Sequence, residues 1–222
     1  GFTEYLKAAK VSTKAVKESD RTLAQGTQWN YFNKLNLLLN KAEREEIIPF
    51  NPVDRLEKGE RPQRADPRCT FLVLDEVKKL ADTPFRMDKL KRAFLFACLC
   101  GLRISDVRSL QWSSFQQDSK GNTIAKLTQK KTKSILYLPI SPEALKQLPQ
   151  KGNNVDLVFG KLPDNSYIDK LLKIWAKDAG ITKNLTFHVS RHTFATLSIT
   201  YGAELYTVSK LLGHADIKTT QI

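Results

Sequence analysis

The sequence predicts a mostly α-helical chain with a small antiparallel β-sheet, an α+β class arranged as two domains. Three observations predict it. Apolar residues recur at helical spacing in several segments, each closed by proline or glycine. Residues 123–140 break that rhythm with two short runs of Ile, Leu, Ala and Tyr around a polar, lysine-rich turn. Residues 55–68 are charged, hold Pro62 and Pro67, and contain almost no apolar side chain.

Along the chain, residues 2–18 read as a short first helix. Residues 27–47 read as an amphipathic helix with an apolar stripe of Leu35, Leu37, Leu38 and Leu39, joined by Trp29, Tyr31, Phe32 and Ala42. Lys34 and Lys41 lie among its polar positions. Pro49, Asn51 and Pro52 end it, because proline cannot continue a helix. The proline-bearing, charged stretch after it divides the chain into a domain over 1–60, a linker over 61–69 and a domain over 70–222. A helix over 75–81 comes next, then a strongly apolar helix over 87–100 with Gly101 as its C-cap. Ser105 or Asp106 can cap a short helix running to Leu110 or Trp112. The sheet is a hairpin over 123–140 with a basic turn at 130–134. Pro142 suits the first turn of a helix. Ser166 can cap a helix containing Leu171, Leu172, Ile174 and Trp175, which Gly180 ends. Two further helices, over 188–201 and 205–212, stop at Gly202 and Gly213.

Charge is the unusual property of the composition. Lys and Arg number 36 against 23 Asp and Glu, a net of +13. Residues 1–66 hold 12 basic and 10 acidic side chains, whereas 67–222 hold 24 and 13, a net of +11 on the second part. That balance favours a polyanion partner. The cysteines are Cys69, Cys98 and Cys100; the odd count, with two inside an apolar run, argues against a disulfide framework. They read as small apolar residues of a reduced interior. With no signal peptide and no apolar run long enough for a bilayer, a bacterial cytoplasmic protein is expected.

All three histidines stand in two late clusters, His188-Val189-Ser190-Arg191-His192 and Leu211-Leu212-Gly213-His214. His188 and Arg191 are three apart near a helix start and so share a face. Arginine offers a planar fork that matches two phosphate oxygens, and imidazole can donate a hydrogen bond or move a proton near neutral pH. His192 points elsewhere and reads as a buried, hydrogen-bonded support. Arg103 comes just after a helix stop, where the plain reading is a charge paired with Asp106. Lys130, Lys131 and Lys133 lie in the hairpin turn, either as a solvated basic turn or as a finger for a nucleic-acid groove. Zinc-protease spacing, a glycine-rich nucleotide loop and a glycine-flanked nucleophilic serine are all missing from the sequence, so no cofactor or metal is expected.

Cys100-Gly101-Leu102-Arg103-Ile104-Ser105-Asp106, the hairpin Thr128-Gln129-Lys130-Lys131-Thr132 leading to Leu138-Pro139-Ile140, His188-Val189-Ser190-Arg191-His192-Thr193-Phe194-Ala195-Thr196 and Leu211-Leu212-Gly213-His214 stand in that order. Together they resemble the tyrosine recombinase (phage integrase) family over 70–222. Residues 1–60 resemble the later helices of its helical, SAM-like core-binding domain. The resemblance implies double-stranded DNA as partner and strand exchange through a 3′-phosphotyrosine, in an enzyme of a mobile genetic element. It implies that Arg103 and Arg191 hold the scissile phosphate and that Lys131 is the general acid. His188 would assist proton transfer and His214 would hydrogen-bond the phosphate. Lys34, Lys41, Lys130 and Lys133 are expected to touch DNA. The family often has Asp-Leu where Val189-Ser190 stand. Its tyrosine would come immediately after Ile222, so a chain truncated before its nucleophile is expected, able to bind DNA but not to cut it. A tetramer on DNA and a free monomer are implied. A non-catalytic DNA-binding relative that regulates recombination is the alternative reading.

Overall fold

The computed structural model describes residues 1–10, 22–64, 69–129, 134–214, 216–217 and 220. The chain forms two compact units, Gly1–Pro67 and Arg68–Ile222. The fold is helical with one small three-stranded antiparallel sheet, in the class expected.

The first unit holds α1 (Phe2–Ala8) and α2 (Gln25–Arg44). The remainder of the first helix expected from sequence, beyond residue 10, lies outside the described residues. Leu6, Phe32 and Val53 form its small core, with Leu23, Leu39 and Leu56 against them. The expected apolar stripe of α2 is corrected here. Leu37 and Leu38 are 66% and 67% exposed, because neighbours on a helix turn by about 100° each and four leucines in five positions cannot share one side. Asn51, 1% exposed, caps the turn Pro52–Arg55 and ties it back to α2: its Nδ2 donates to Asn36 Oδ1 at 2.9 Å and Asn40 Oδ1 at 2.6 Å, and its Oδ1 accepts from the Val53 N–H. The start of the charged stretch also packs. Arg61 donates to the carbonyls of Val53 and Leu56, fastening the turn Pro52–Arg55 to the chain just beyond it.

The second unit is built round α4 (Asp88–Cys100), which is buried on nearly every side from Leu90 onward. Helix α3 (Leu74–Asp82) packs against it. Gly101 ends α4 in the left-handed conformation, φ +69°, as its position predicts. Helix α5 (Ile104–Ser109) then begins with Arg103 at its N-cap. Neither Ser105 nor Asp106 caps it, because both already lie inside the helix.

A strand the sequence reading missed, β1 (Phe115–Gln117), pairs with β2 (Thr123–Thr128), which pairs with β3 (Ile135–Pro139). Three residues with one apolar member give too short an alternation to announce a strand. Ala125, Leu136 and Leu138 point into the core while Ile135 and Tyr137 face out, as the pleat requires. After the one-turn helix α6 (Pro142–Leu145), α7 (Asn165–Asp178) is capped by Asp164, whose carboxylate accepts from the Tyr167 N–H. Ser166, expected as the cap, sits one residue inside. Helices α8 (Phe187–Thr200) and α9 (Leu205–Leu212) complete the unit.

Aromatic packing sets where α8 starts. Phe94 of α4 meets Trp175 of α7 and Phe187 of α8 edge-on, with centroids 5.9 and 5.8 Å apart. Thr193, fully buried, accepts a 2.9 Å hydrogen bond from the Leu72 N–H and ties mid-α8 to the start of the unit. Cys98 and Cys100 are buried free thiols, and burial pushes both well above the usual thiol range. Among the described residues no helix is long and apolar enough to cross a membrane.

Candidate active site

Three chain segments meet at one place. α4 ends at Gly101, α8 passes with Arg191 one turn from its start, and α9 ends at Gly213. Helix ends leave carbonyls without intrahelical partners, and a buried carbonyl needs a donor. Arg191 supplies it. Its Nη1 donates to the Gly101 carbonyl at 2.8 Å and its Nη2 to the Leu212 carbonyl at 2.7 Å. The same Nη2 lies 2.7 Å from His214 Nε2. Arg191 is 4% exposed, so these contacts fix its fork.

The His214 tautomer is set by its neighbours. A guanidinium can only donate, so Nε2 accepts from Arg191. The proton therefore sits on Nδ1, which donates to the Thr220 hydroxyl at 2.8 Å. Burial, then the charges of Arg191 and Arg103, pulls the imidazole down to about 4, so the ring is neutral at physiological pH. Burial and the like charge of Arg103 also pull Arg191 down to about 9, while the Asp106 charge opposes that; the guanidinium stays protonated at neutral pH.

Arg103 completes the cluster. It stands at the N-cap of α5, and its Nη1 is buried without a hydrogen-bond partner among the described residues. An unsatisfied buried donor beside a second guanidinium is costly unless an anion enters. His188, on the exposed side of α8, meets half-buried His192 edge-on with centroids 4.7 Å apart. It is close enough to His214 for its charge to contribute to that ring's low value. His192 is thus only partly buried, packed against a histidine rather than deep in the core.

Of the residues singled out by sequence, Arg103, His188, Arg191 and His214 come together. Lys130, Lys131 and Lys133 lie outside the described residues. Lys34 and Lys41 belong to the other unit; both are exposed, Lys34 beside the Tyr31 ring at 5.9 Å and Lys41 3.5 Å from Glu45. The sequence reading gave no role to Thr220 or Gln129, and gave Asp106 only as a charge partner for Arg103 and a possible cap. Asp106 is 3% exposed and acts on Arg191 electrostatically. Thr220 sets the His214 tautomer. Gln129, fully buried at the base of the hairpin, donates from Nε2 to the Leu212 carbonyl at 3.2 Å. A polar residue directly before the lysines was the only available hint of Gln129.

Two family models match the chain: the phage integrase family over residues 70–222, and the phage integrase SAM-like domain over residues 1–59. Among curated relatives, tyrosine recombinase XerD of Listeria monocytogenes serotype 4b (strain F2365) is 34% identical over 186 residues, covering 76% of this chain. The chain spans only 62% of that relative's length. XerD of Lacticaseibacillus casei is 30% identical over 222 residues, covering 93% of this chain and 74% of the relative. Among solved structures, the Tn1549 transposon integrase (residues 82–397), in complex with circular intermediate DNA, superposes with a TM-score of 0.67 at 19% identity, covering 89% of this chain and 74% of that one. That last likeness is one of fold.

Proposed function

This chain belongs to the phage integrase family, and on that premise we propose that it is the core of a site-specific DNA recombinase of a mobile genetic element, acting in a bacterial cytoplasm. The observation that carries the proposal is the buried Arg103 Nη1, without a partner among the described residues and near enough to Arg191 and His214 for its charge to act on both. A phosphodiester is an anion with two non-bridging oxygens, and two guanidiniums match it.

In the proposed reaction a tyrosine hydroxyl attacks the scissile phosphorus of duplex DNA. The family pattern puts that tyrosine directly after Ile222. The phenolic proton passes to His188. The new bond is phosphorus to tyrosine oxygen, and the bond to the 5′ oxygen breaks as that oxygen takes a proton from the Lys131 ammonium. Arg103 and Arg191 stabilise the charge that gathers on the non-bridging oxygens. The phosphate replaces His214 as the partner of Arg191 Nη2; the neutral imidazole then moves its proton from Nδ1 to Nε2, donating to a phosphate oxygen while Nδ1 accepts from the Thr220 hydroxyl. Attack by the 5′ hydroxyl of a second strand reverses these steps, so the phosphoester energy is conserved without a nucleotide or metal. The exposed lysines Lys34 and Lys41, with Lys130 and Lys133, hold the DNA backbone. Four protomers assemble on DNA, and the free protein is a monomer.

The test uses a chain extended through that tyrosine and a nicked duplex whose product strand diffuses away. A denaturant-stable protein–DNA adduct is expected, abolished by Arg191→Ala. Binding of the duplex with no adduct would overturn the enzymatic reading in favour of a DNA-binding regulator.

A further inference from the structure

We propose that Gln129 is a positioning residue that registers the lysine-bearing hairpin against the phosphate grip; this rests on the recombinase reading, in which Lys131 is the general acid.

The geometry is specific. Gln129 is the last described residue before Lys130 and Lys131, and it has no solvent exposure. Its backbone N–H closes the hairpin on the Ser134 carbonyl at 2.9 Å. Its side-chain Oε1 lies 3.4 Å from the Ser134 hydroxyl, which donates to it, and its Nε2 donates to the Leu212 carbonyl. That carbonyl is the one that also accepts from Arg191 Nη2. A carbonyl has two lone pairs, and here one holds the hairpin and the other holds the catalytic arginine. Gly213 makes room for this: a Cβ there would come 2.4 Å from Gln129 Oε1. The glycine before His214 is therefore needed for the glutamine as well as for its φ of +65°.

A flexible lysine on a hairpin has many rotamers and a long reach. General acid catalysis needs it within hydrogen-bond distance of one oxygen. A buried amide locked between hairpin and α9 removes the rigid-body freedom of the hairpin base, which a solvent-exposed turn could not do. A glutamine that merely filled space would affect stability and all chemical steps alike. One that sets the acid would affect only leaving-group protonation.

The discriminating experiment compares the tyrosine-bearing chain with its Gln129→Met variant, similar in volume but without a donor. Each is assayed on two nicked duplexes, one ordinary and one with sulfur replacing the 5′ bridging oxygen at the scissile phosphate. A thiolate leaves without protonation. The ordinary substrate should be cleaved roughly 100-fold more slowly by the variant, at the lower end of what an acid contributes. The sulfur substrate should be cleaved at about the parent rate. Equal slowing on both substrates, or no slowing on either, overturns the proposal. If Gln129→Met unfolds, Ser134→Ala carries the same comparison, since it loosens the Gln129 amide without emptying the site. A parent chain that cleaves neither substrate refutes the recombinase reading instead, and so the two failures are distinguishable.

Discussion

Arg103 and Arg191 carry the same charge in the same cluster, yet they should answer mutation in opposite ways. Arg191 satisfies two buried helix-end carbonyls. Arg191→Ala leaves the Gly101 carbonyl without its donor, at about 1–3 kcal/mol, and the Leu212 carbonyl with Gln129 alone, and should lower the thermal midpoint clearly. Arg103 has a buried nitrogen with no partner among the described residues and adds repulsion to Arg191. Arg103→Ala should leave the midpoint unchanged or raise it while weakening binding to DNA. Calorimetry on the two variants separates them; equal destabilisation would contradict the assignment. His214 gives a second test at this scale. Its folded value is about 4 and its ordinary value 6.5, so between these the unfolded chain binds a proton that the folded chain does not. The corresponding stability is present above the ordinary value and is lost as pH falls towards 4. His214→Asn should therefore flatten the decline in midpoint between about pH 7 and about pH 4.5 relative to the parent. An unchanged slope would show that the ring is not held neutral.

Helix ends, more than helices, make this site. Gly101 is the sharpest example. A Cβ there would meet Phe194 Cδ1 at 2.5 Å and Leu212 Cδ2 at 2.8 Å, at a φ of +69°. Gly101→Ala should cost about 1–2 kcal/mol for the left-handed backbone and about 1–3 more for overpacking. Gly180, whose Cβ would meet nothing, should cost only the first part. Denaturant titration of the two variants checks the difference. The same ends explain what the sequence made legible. Gly101 and Gly213 read as helix stops because glycine punctuates helices, whereas Arg103 and His214 beside them took their roles from the family resemblance. Gln129 and Thr220 did not read as functional, because their value lies in partners 83 and 6 residues away that no periodicity encodes. Caps failed where two polar residues competed, as at Asp164 and Ser166, since either could serve until the backbone fixes which one precedes the first turn. The stripe of α2 was overread because composition counts leucines without assigning them an azimuth.

For the molecule as a whole, charge decides what binds. The +11 on residues 67–222 sits on the unit that holds the arginine cluster. Neutralising phosphates releases counterions, so affinity for duplex DNA should fall by roughly 10³-fold or more between about 50 and about 200 mM salt if six or more phosphates are contacted. Fluorescence anisotropy on the chain of 222 residues measures it; a flat salt response would remove the polyanion reading.

The Arg191 bond to the Gly101 carbonyl spans 90 residues of chain. A ribosome adding about 5–20 residues per second makes the carbonyl about 5–20 s before the arginine that will cover it. Through that interval α4 can exist only with its end unsealed, and the hairpin has no α9 to lean on. The anion cradle is thus complete only once synthesis has passed α8 and α9.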